Sequence, residues 1–254
     1  MQPVLETRDL TISFGGHTAV NQVNMKVFKN TFTSIIGPNG AGKTTLFNLL
    51  SGQLRPTKGK VFVQGKDVTH LSPAHRTRMG VGRSFQITNV FPSLTVLENV
   101  RLAVQAQAGV FYNMFAHRKK YHAFEEKARQ LLKTVLLHEK SDSLAKHLAH
   151  GEKRKLEIAM LLALETEILL LDEPTAGMSL EEVPSILEVI QKIKEEGTRT
   201  ILLIEHKIDM VLQVSDRLMV LFHGKILAED TPEKIMQNEL VQSAYLGGFY
   251  GDAS

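Results

Sequence analysis

The run Gly37-Pro38-Asn39-Gly40-Ala41-Gly42-Lys43-Thr44 constrains this chain more than any other feature. It lies between a short apolar stretch, Thr33–Ile36, and a helix-forming segment, Thr45–Leu50. It fits the pattern G-x-x-x-x-G-K-[ST]. Glycines at those places let backbone N–H groups turn inward around phosphate oxygens, and the helix behind presents its N-terminus to the same anion. Lys43 adds a positive charge for the terminal phosphates, and the Thr44 hydroxyl suits Mg²⁺. A glycine turn that merely contains a lysine would need neither the strand nor the helix. The stretch Asn39, Gly40, Ala41, Gly42, Lys43, Thr44 and Thr45 is therefore expected to bind a nucleotide.

Such a loop needs an α/β sheet around it, and the rest of the chain provides one. Ile168–Leu171, Ile201–Ile204 and Leu218–Phe222 are short apolar runs of the kind that form strands buried on both faces. Near the N-terminus, Val4–Phe14 and Val23–Phe28 read as strands joined through Gly15-Gly16, and Val61–Val63 follows Gly59, which predicts an antiparallel layer beside the main sheet. Helices are expected over Val96–Gln107, behind a Thr95/Glu98 capping box, and over Leu180–Glu196, behind a Ser179/Glu182 box. Thr231-Pro232-Glu233 predicts another short helix. Residues Arg101–His147 contain no strand run and read as an inserted helical subdomain, so the chain of 254 residues is expected to be one domain, with a helical part at roughly 87–165.

Composition removes several alternatives. With no cysteine, a disulfide scaffold, a thiolate zinc site and a cysteine nucleophile are excluded. No apolar run approaches the ~20 residues that span a bilayer, and the N-terminus lacks the pattern of a signal peptide, so the chain is expected to stay on the cytosolic side. A net charge of +3 makes no strong field. The basic clusters His117–Lys120 and Lys153–Lys155 lack interleaved aromatics and read as solvated faces, with no nucleic-acid module in view.

Ile168–Leu171 runs into Asp172-Glu173. Carboxylates at the exit of a buried strand, in a chain with a phosphate loop, suit two tasks. Asp172 would hold Mg²⁺ through water, and Glu173 would be the general base that polarises an attacking water. His206 ends another apolar strand, where α/β sheets keep their ligands; the residue alone says no more than that.

Together these motifs resemble the nucleotide-binding subunits of ABC transporters over nearly the whole chain. The resemblance implies a P-loop NTPase cassette: mixed central sheet, N-terminal antiparallel β layer and inserted helical subdomain. GPNGAGKTT (Gly37–Thr45) and ILLLDEP (Ile168–Pro174) correspond to the family's Walker motifs. Gln86, in GVGRSFQ, matches the glutamine that contacts Mg²⁺ and the membrane subunit. His206 matches the switch histidine on the γ-phosphate, and Phe14 the aromatic that stacks on adenine, a contact of roughly 1–3 kcal/mol. Glu173, His206, Lys43 and Gln86 are thereby implied as catalytic, and Thr44, Gln86 and Asp172 as holding the metal. The family's LSGGQ signature reads Leu148-Ala149-His150-Gly151-Glu152 here, so a serine hydroxyl is missing, while Gly151 keeps the helix start that would meet the nucleotide of a facing subunit. Ser179 stands where the family often has aspartate.

The combination of LAHGEKRKLEIA, DEPTAGMS, LLIEH and AYLG resembles one branch, the LivG type of branched-chain (hydrophobic) amino-acid importer; urea and short-amide importers are similar. The resemblance implies ATP and Mg²⁺ as cofactors and a head-to-tail homo- or heterodimer with a second ATPase. It also implies permease subunits that dock near Gln86–Val100, with Phe91, Leu94 and Val96 as candidate groove residues, and a solute-binding protein acting indirectly. The chain would then sit at the cytoplasmic face of the membrane. A soluble ABC ATPase outside transport and a small-molecule kinase sharing only the phosphate loop are the competing classes.

Overall fold

The computed structural model describes residues 2–84, 90–110 and 118–243, the side chains of 118–120 excepted. Its first elements are β1 (Pro3–Phe14), β2 (His17–Phe28), β3 (Phe32–Ile36), α1 (Lys43–Ser51), β4 (Lys58–Val63), β5 (Lys66–Asp67), α2 (Pro73–Arg78) and β6 (Val81–Arg83). Next come α3 (Val96–Gln107), α4 (Arg118–Thr134), α5 (His150–Ala163), β7 (Ile168–Asp172) and α6 (Val183–Glu195). The chain closes with β8 (Thr200–Ile204), α7 (Ile208–Val214), β9 (Arg217–Phe222), β10 (Lys225–Asp230), α8 (Pro232–Met236) and α9 (Glu239–Val241). They fall into two units. The first comprises the described residues of Met1–Val81, Glu167–Glu173 and Thr198–Ser254, the second those of Gly82–Thr166 and Pro174–Gly197. The span 87–165 lies inside the second unit, which also takes in Pro174–Gly197.

In the first unit an antiparallel sheet, ordered β2-β1-β4-β5, accompanies a mixed sheet ordered β10-β9-β3-β8-β7-β6, which Val81 of β6 reaches at its far edge. β3 lies parallel between β8 and β9, β8 is parallel to β7, and β10 turns back antiparallel on β9. Every residue of β3, β7 and β8 is buried, which is why β7 and β8 read as nearly continuous apolar runs rather than alternations; β3 buries Thr33 and Ser34 among its apolar residues. Inward residues of the antiparallel sheet (Leu5, Leu10, Val23, Val61) share one core with Leu46, Phe47, Leu49 and Leu50 of α1 and with Ile35, Leu170 and Leu202. Each such side chain gains about 1.5–3 kcal/mol by burial. On the opposite face Ile36, Leu218 and Val220 pack with Val211 of α7 and Ile235 of α8. The strand expected from Val23 begins earlier, at His17, because Gly15-Gly16 closes a tight hairpin that pairs Phe14 with His17.

Arg76 anchors α1 from below, an arrangement with no local sequence signal. It is fully buried. Nη1 donates to the carbonyls of Leu49 and Leu50, and Nη2 to that of Thr69, so a guanidinium caps the last turn of α1. Burial draws its pKa down to about 10, leaving it charged at neutral pH. Replacing Arg76 by Met removes the side-chain donor from three buried carbonyls, of which that of Leu49 retains the Gly52 N–H at 3.3 Å, and is expected to cost about 3 kcal/mol, read as a lower urea midpoint at unchanged slope.

The second unit is helical over α3 to α5, with short 3₁₀ turns at His138–Lys140 and Ala145–His147. The Thr95/Glu98 capping box forms with both of its bonds. Asn99, fully buried, accepts the Phe91 N–H and donates to the carbonyls of Phe91 and Thr95, which fixes the turn ahead of α3. Two expectations are corrected here. The helix placed over Leu180–Glu196 starts at Val183, with Pro184 in its first turn. Proline has no N–H, so a helix begun at Leu180 would lack the bond from residue 184 to that start. Glu182 still receives the Ser179 N–H, at 3.1 Å, but outside the helix. Lys153–Lys155 is not a solvated face either: Arg154 pairs with Glu157 at 2.7 Å, and Lys155 is buried. The side chains of His117–Lys120 lie outside the described residues.

Candidate active site

β3 ends at Ile36 and the phosphate loop begins at once. Gly37 and Gly42 are required by close approach. A Cβ on Gly37 would stand 2.1 Å from the Leu221 carbonyl oxygen, and one on Gly42, whose φ is +99°, would stand 2.2 Å from that of Ala19. Gly42 forms the N-cap of α1, so the helix begins at Lys43, two residues before the expected Thr45. Behind the loop, the β9–β10 turn holds it in place: Gly224 N–H donates to the Ala41 carbonyl (3.0 Å), and the Gly224 carbonyl accepts Asn21 N–H (2.8 Å). Lys43 is only 5% exposed and donates from Nζ to the carbonyls of Gly37 (2.7 Å) and Pro38 (3.0 Å). Burial pushes its pKa down, against the opposing pull of the Glu173 and Asp172 carboxylates.

The parallel register carries the acids and the histidine to the same end of the sheet. Ile204 is paired with Asp172 on one side and Ile35 on the other, so the residues that follow leave three adjacent strands together. Glu173, at a left-handed φ of +46°, donates its N–H to the Ile204 carbonyl at 2.9 Å. Its Oε1 lies 3.0 Å from His206 Nε2. A carboxylate only accepts, so Nε2 carries the shared proton. The backbone N–H of His206 is held by Glu205 Oε2 at 3.0 Å.

These groups open onto one cleft of about 370 Å³, lined by Phe14, His17, Ala19, Asn39 through Thr45, Glu173 and His206. Phe14 is 49% exposed there rather than packed in a core. Asp172 does not line the cleft: it is fully buried one residue behind Glu173, within the electrostatic reach of Lys43. Gln86 lies outside the described residues. Gly151 belongs to the second unit, where its N–H donates to Glu182 Oε1 at 3.2 Å, and Glu152 returns to the Ala149 N–H at 3.0 Å. Of the groove residues, Phe91 is exposed and Leu94 half-buried, while Val96 is fully buried and is corrected to a core residue. His17 was not expected from the sequence, although its place opposite Phe14 across two glycines is the signal that finds it. Glu182 was read only as a helix cap.

A family model described as ABC transporter matches residues 20–176, and a second, described as branched-chain amino acid ATP-binding cassette transporter, matches residues 225–250. The chain belongs to the ABC transporter family and carries its ATP-binding ATPase cassette. It is 39% identical over 251 residues to the high-affinity branched-chain amino acid transport ATP-binding protein LivG of Escherichia coli (strain K12), covering 97% of this chain and 98% of that protein. It is 41% identical over 253 residues to BraF of Pseudomonas aeruginosa, described in the same words, with the same coverage. Among solved structures, the ADP conformation of an ATP-binding cassette of an ABC transporter superposes with a TM-score of 0.82 at 29% identity, covering 97% of this chain and 100% of that one. A dimeric post-hydrolysis cassette bound to ADP and Pi matches with a TM-score of 0.75 at 25% identity, covering 90% and 98%.

Proposed function

We propose that this chain binds and hydrolyses ATP to drive import of branched-chain amino acids through separate permease subunits. The observation that carries this reading is near-full-length relatedness to branched-chain amino acid ATPases, in a chain whose cleft gathers the loop, base and histidine that ATP hydrolysis needs. Lys43 and the loop N–H groups hold the phosphates. Glu173 takes the proton of the attacking water, and His206 orients the Glu173 carboxylate through the bond at Nε2. Phe14 stacks on the base. Gln86, outside the described residues, is assigned to Mg²⁺ and the membrane subunit.

The donor chemistry suits Mg²⁺. The Thr44 hydroxyl and the Asp172 carboxylate are hard oxygen donors. Among the described residues no group of three or more histidines and acids could hold a metal unaided, which fits a cation that keeps water and phosphate as its other ligands. When bound, Mg²⁺ neutralises charge on the terminal phosphates. Gly151 is assigned to the nucleotide of a facing subunit, so hydrolysis requires a dimer of this chain or of this chain with a related ATPase. Among the described residues no helix is long and apolar enough to cross a membrane, which supports attachment at the cytoplasmic face through permeases.

The test is co-purification from membranes with the partner subunits, followed by reconstitution with the solute-binding protein. Leucine, isoleucine or valine should stimulate release of free phosphate and accumulate in the vesicles. Stimulation by urea or short amides instead would replace the substrate. Transfer of labelled phosphate to a small acceptor, or recovery with ribosomes rather than permeases, would overturn the transport reading.

A further inference from the structure

We infer that His17 forms, beside Phe14, a second ring of the base-binding platform and gives the cleft a preference for purine over pyrimidine nucleotides. This rests on the nucleotide reading of the cleft. Phe14 and His17 are the last and first residues of β1 and β2, directly paired across Gly15-Gly16. Residues opposed in this way carry their Cβ atoms on one face of the sheet, about 4.5–5.5 Å apart. Both side chains are exposed, and both line the cleft that Lys43 and Thr44 close at its phosphate end. The turn itself is open: a Cβ on Gly15 or Gly16 would meet nothing within 4 Å, so protein does not cover the face of the hairpin tip at those positions.

The chemistry of the pair follows from ring size. One phenyl ring matches a single six-membered ring, and the second ring of a purine overhangs it. An imidazole beside Phe14 extends the π surface under that overhang. A pyrimidine ends on Phe14 and gains nothing from His17. Stacking accepts any base, so the discrimination comes from overlapped area rather than from hydrogen-bond readout.

Equilibrium titration of the full chain with ATP, GTP, CTP and UTP tests this, using wild type, His17→Ala and His17→Phe. His17→Ala should weaken ATP and GTP about five- to tenfold and CTP and UTP less than about twofold, with His17→Phe recovering most of the loss. An unchanged purine-to-pyrimidine ratio in His17→Ala overturns the platform, as does an equal loss for all four nucleotides, which would point to the sugar or phosphates. A wild-type chain that binds none of the four removes the nucleotide reading itself, and this inference with it. A wild-type chain that binds ATP with a flat ratio removes the inference alone.

Discussion

Glu173→Gln should retain ATP and nearly stop turning it over, with phosphate release falling about 10²- to 10⁴-fold. The substitution is chosen for what it leaves alone. Glu173 sits at a left-handed φ of +46°, and its N–H is tied to the Ile204 carbonyl, so both residue types meet the same backbone cost there. A glutamine oxygen still accepts from His206 Nε2, which preserves the 3.0 Å contact. The amide has lost the ability to take a proton from water, and with it the negative charge that acts on Lys43, whose ammonium keeps the Asp172 carboxylate and the loop carbonyls. ATP affinity by equilibrium dialysis should therefore be unchanged while steady-state phosphate release collapses, and sizing in ATP should recover a long-lived dimer. Turnover at the wild-type rate would mean that another group is the base.

Lys43→Ala acts on the other half of the chemistry. Its ammonium is buried and bonded to the carbonyls of Gly37 and Pro38, with the Glu173 and Asp172 carboxylates near enough to favour its charge. Removing it takes away the phosphate's cation and the Nζ donor to both loop carbonyls, of which that of Pro38 retains the Ala41 N–H at 3.2 Å. ATP affinity is expected to fall by at least about 30-fold, near 2 kcal/mol or more, the usual scale for truncating one side of a buried charged contact. Lys43→Arg should fail similarly, because a planar fork does not reproduce a point charge on two converging carbonyls. Dialysis against ATP reads both. Unaltered affinity in Lys43→Ala would show that the loop's N–H groups suffice. The two variants are expected to separate cleanly: Glu173→Gln loses rate and Lys43→Ala loses binding.

What could be read in the sequence is what is local along the chain. The phosphate loop carries its strand, turn and helix within one short stretch, and Glu173 follows Asp172 directly, so spacing alone finds them. His206 was legible only through family resemblance, since a lone histidine after an apolar strand has no pattern of its own. Arg76, Gly224 and Glu182 were not legible as what they are, because each acts on backbone far away in sequence: the end of α1, the Ala41 carbonyl and the Gly151 N–H. The misplaced start of α6 shows the converse failure. A correct Ser-x-x-Glu spacing was overruled by Pro184, which cannot supply the hydrogen bond an earlier start requires.

The position of β3 has a consequence for synthesis. The strand that feeds the phosphate loop is flanked by β8 and β9, both made long after it; Phe32 N–H is held by the Asp216 carboxylate across 184 residues. At ribosomal speeds of about 5–20 residues per second, that partner emerges roughly 10–40 s later. Until then a chain already bearing the full Gly37–Thr44 sequence has neither the neighbouring strands nor the Gly224 hairpin that shape it. The nascent chain therefore spells its nucleotide loop early and can use it only once nearly all of the protein has been made.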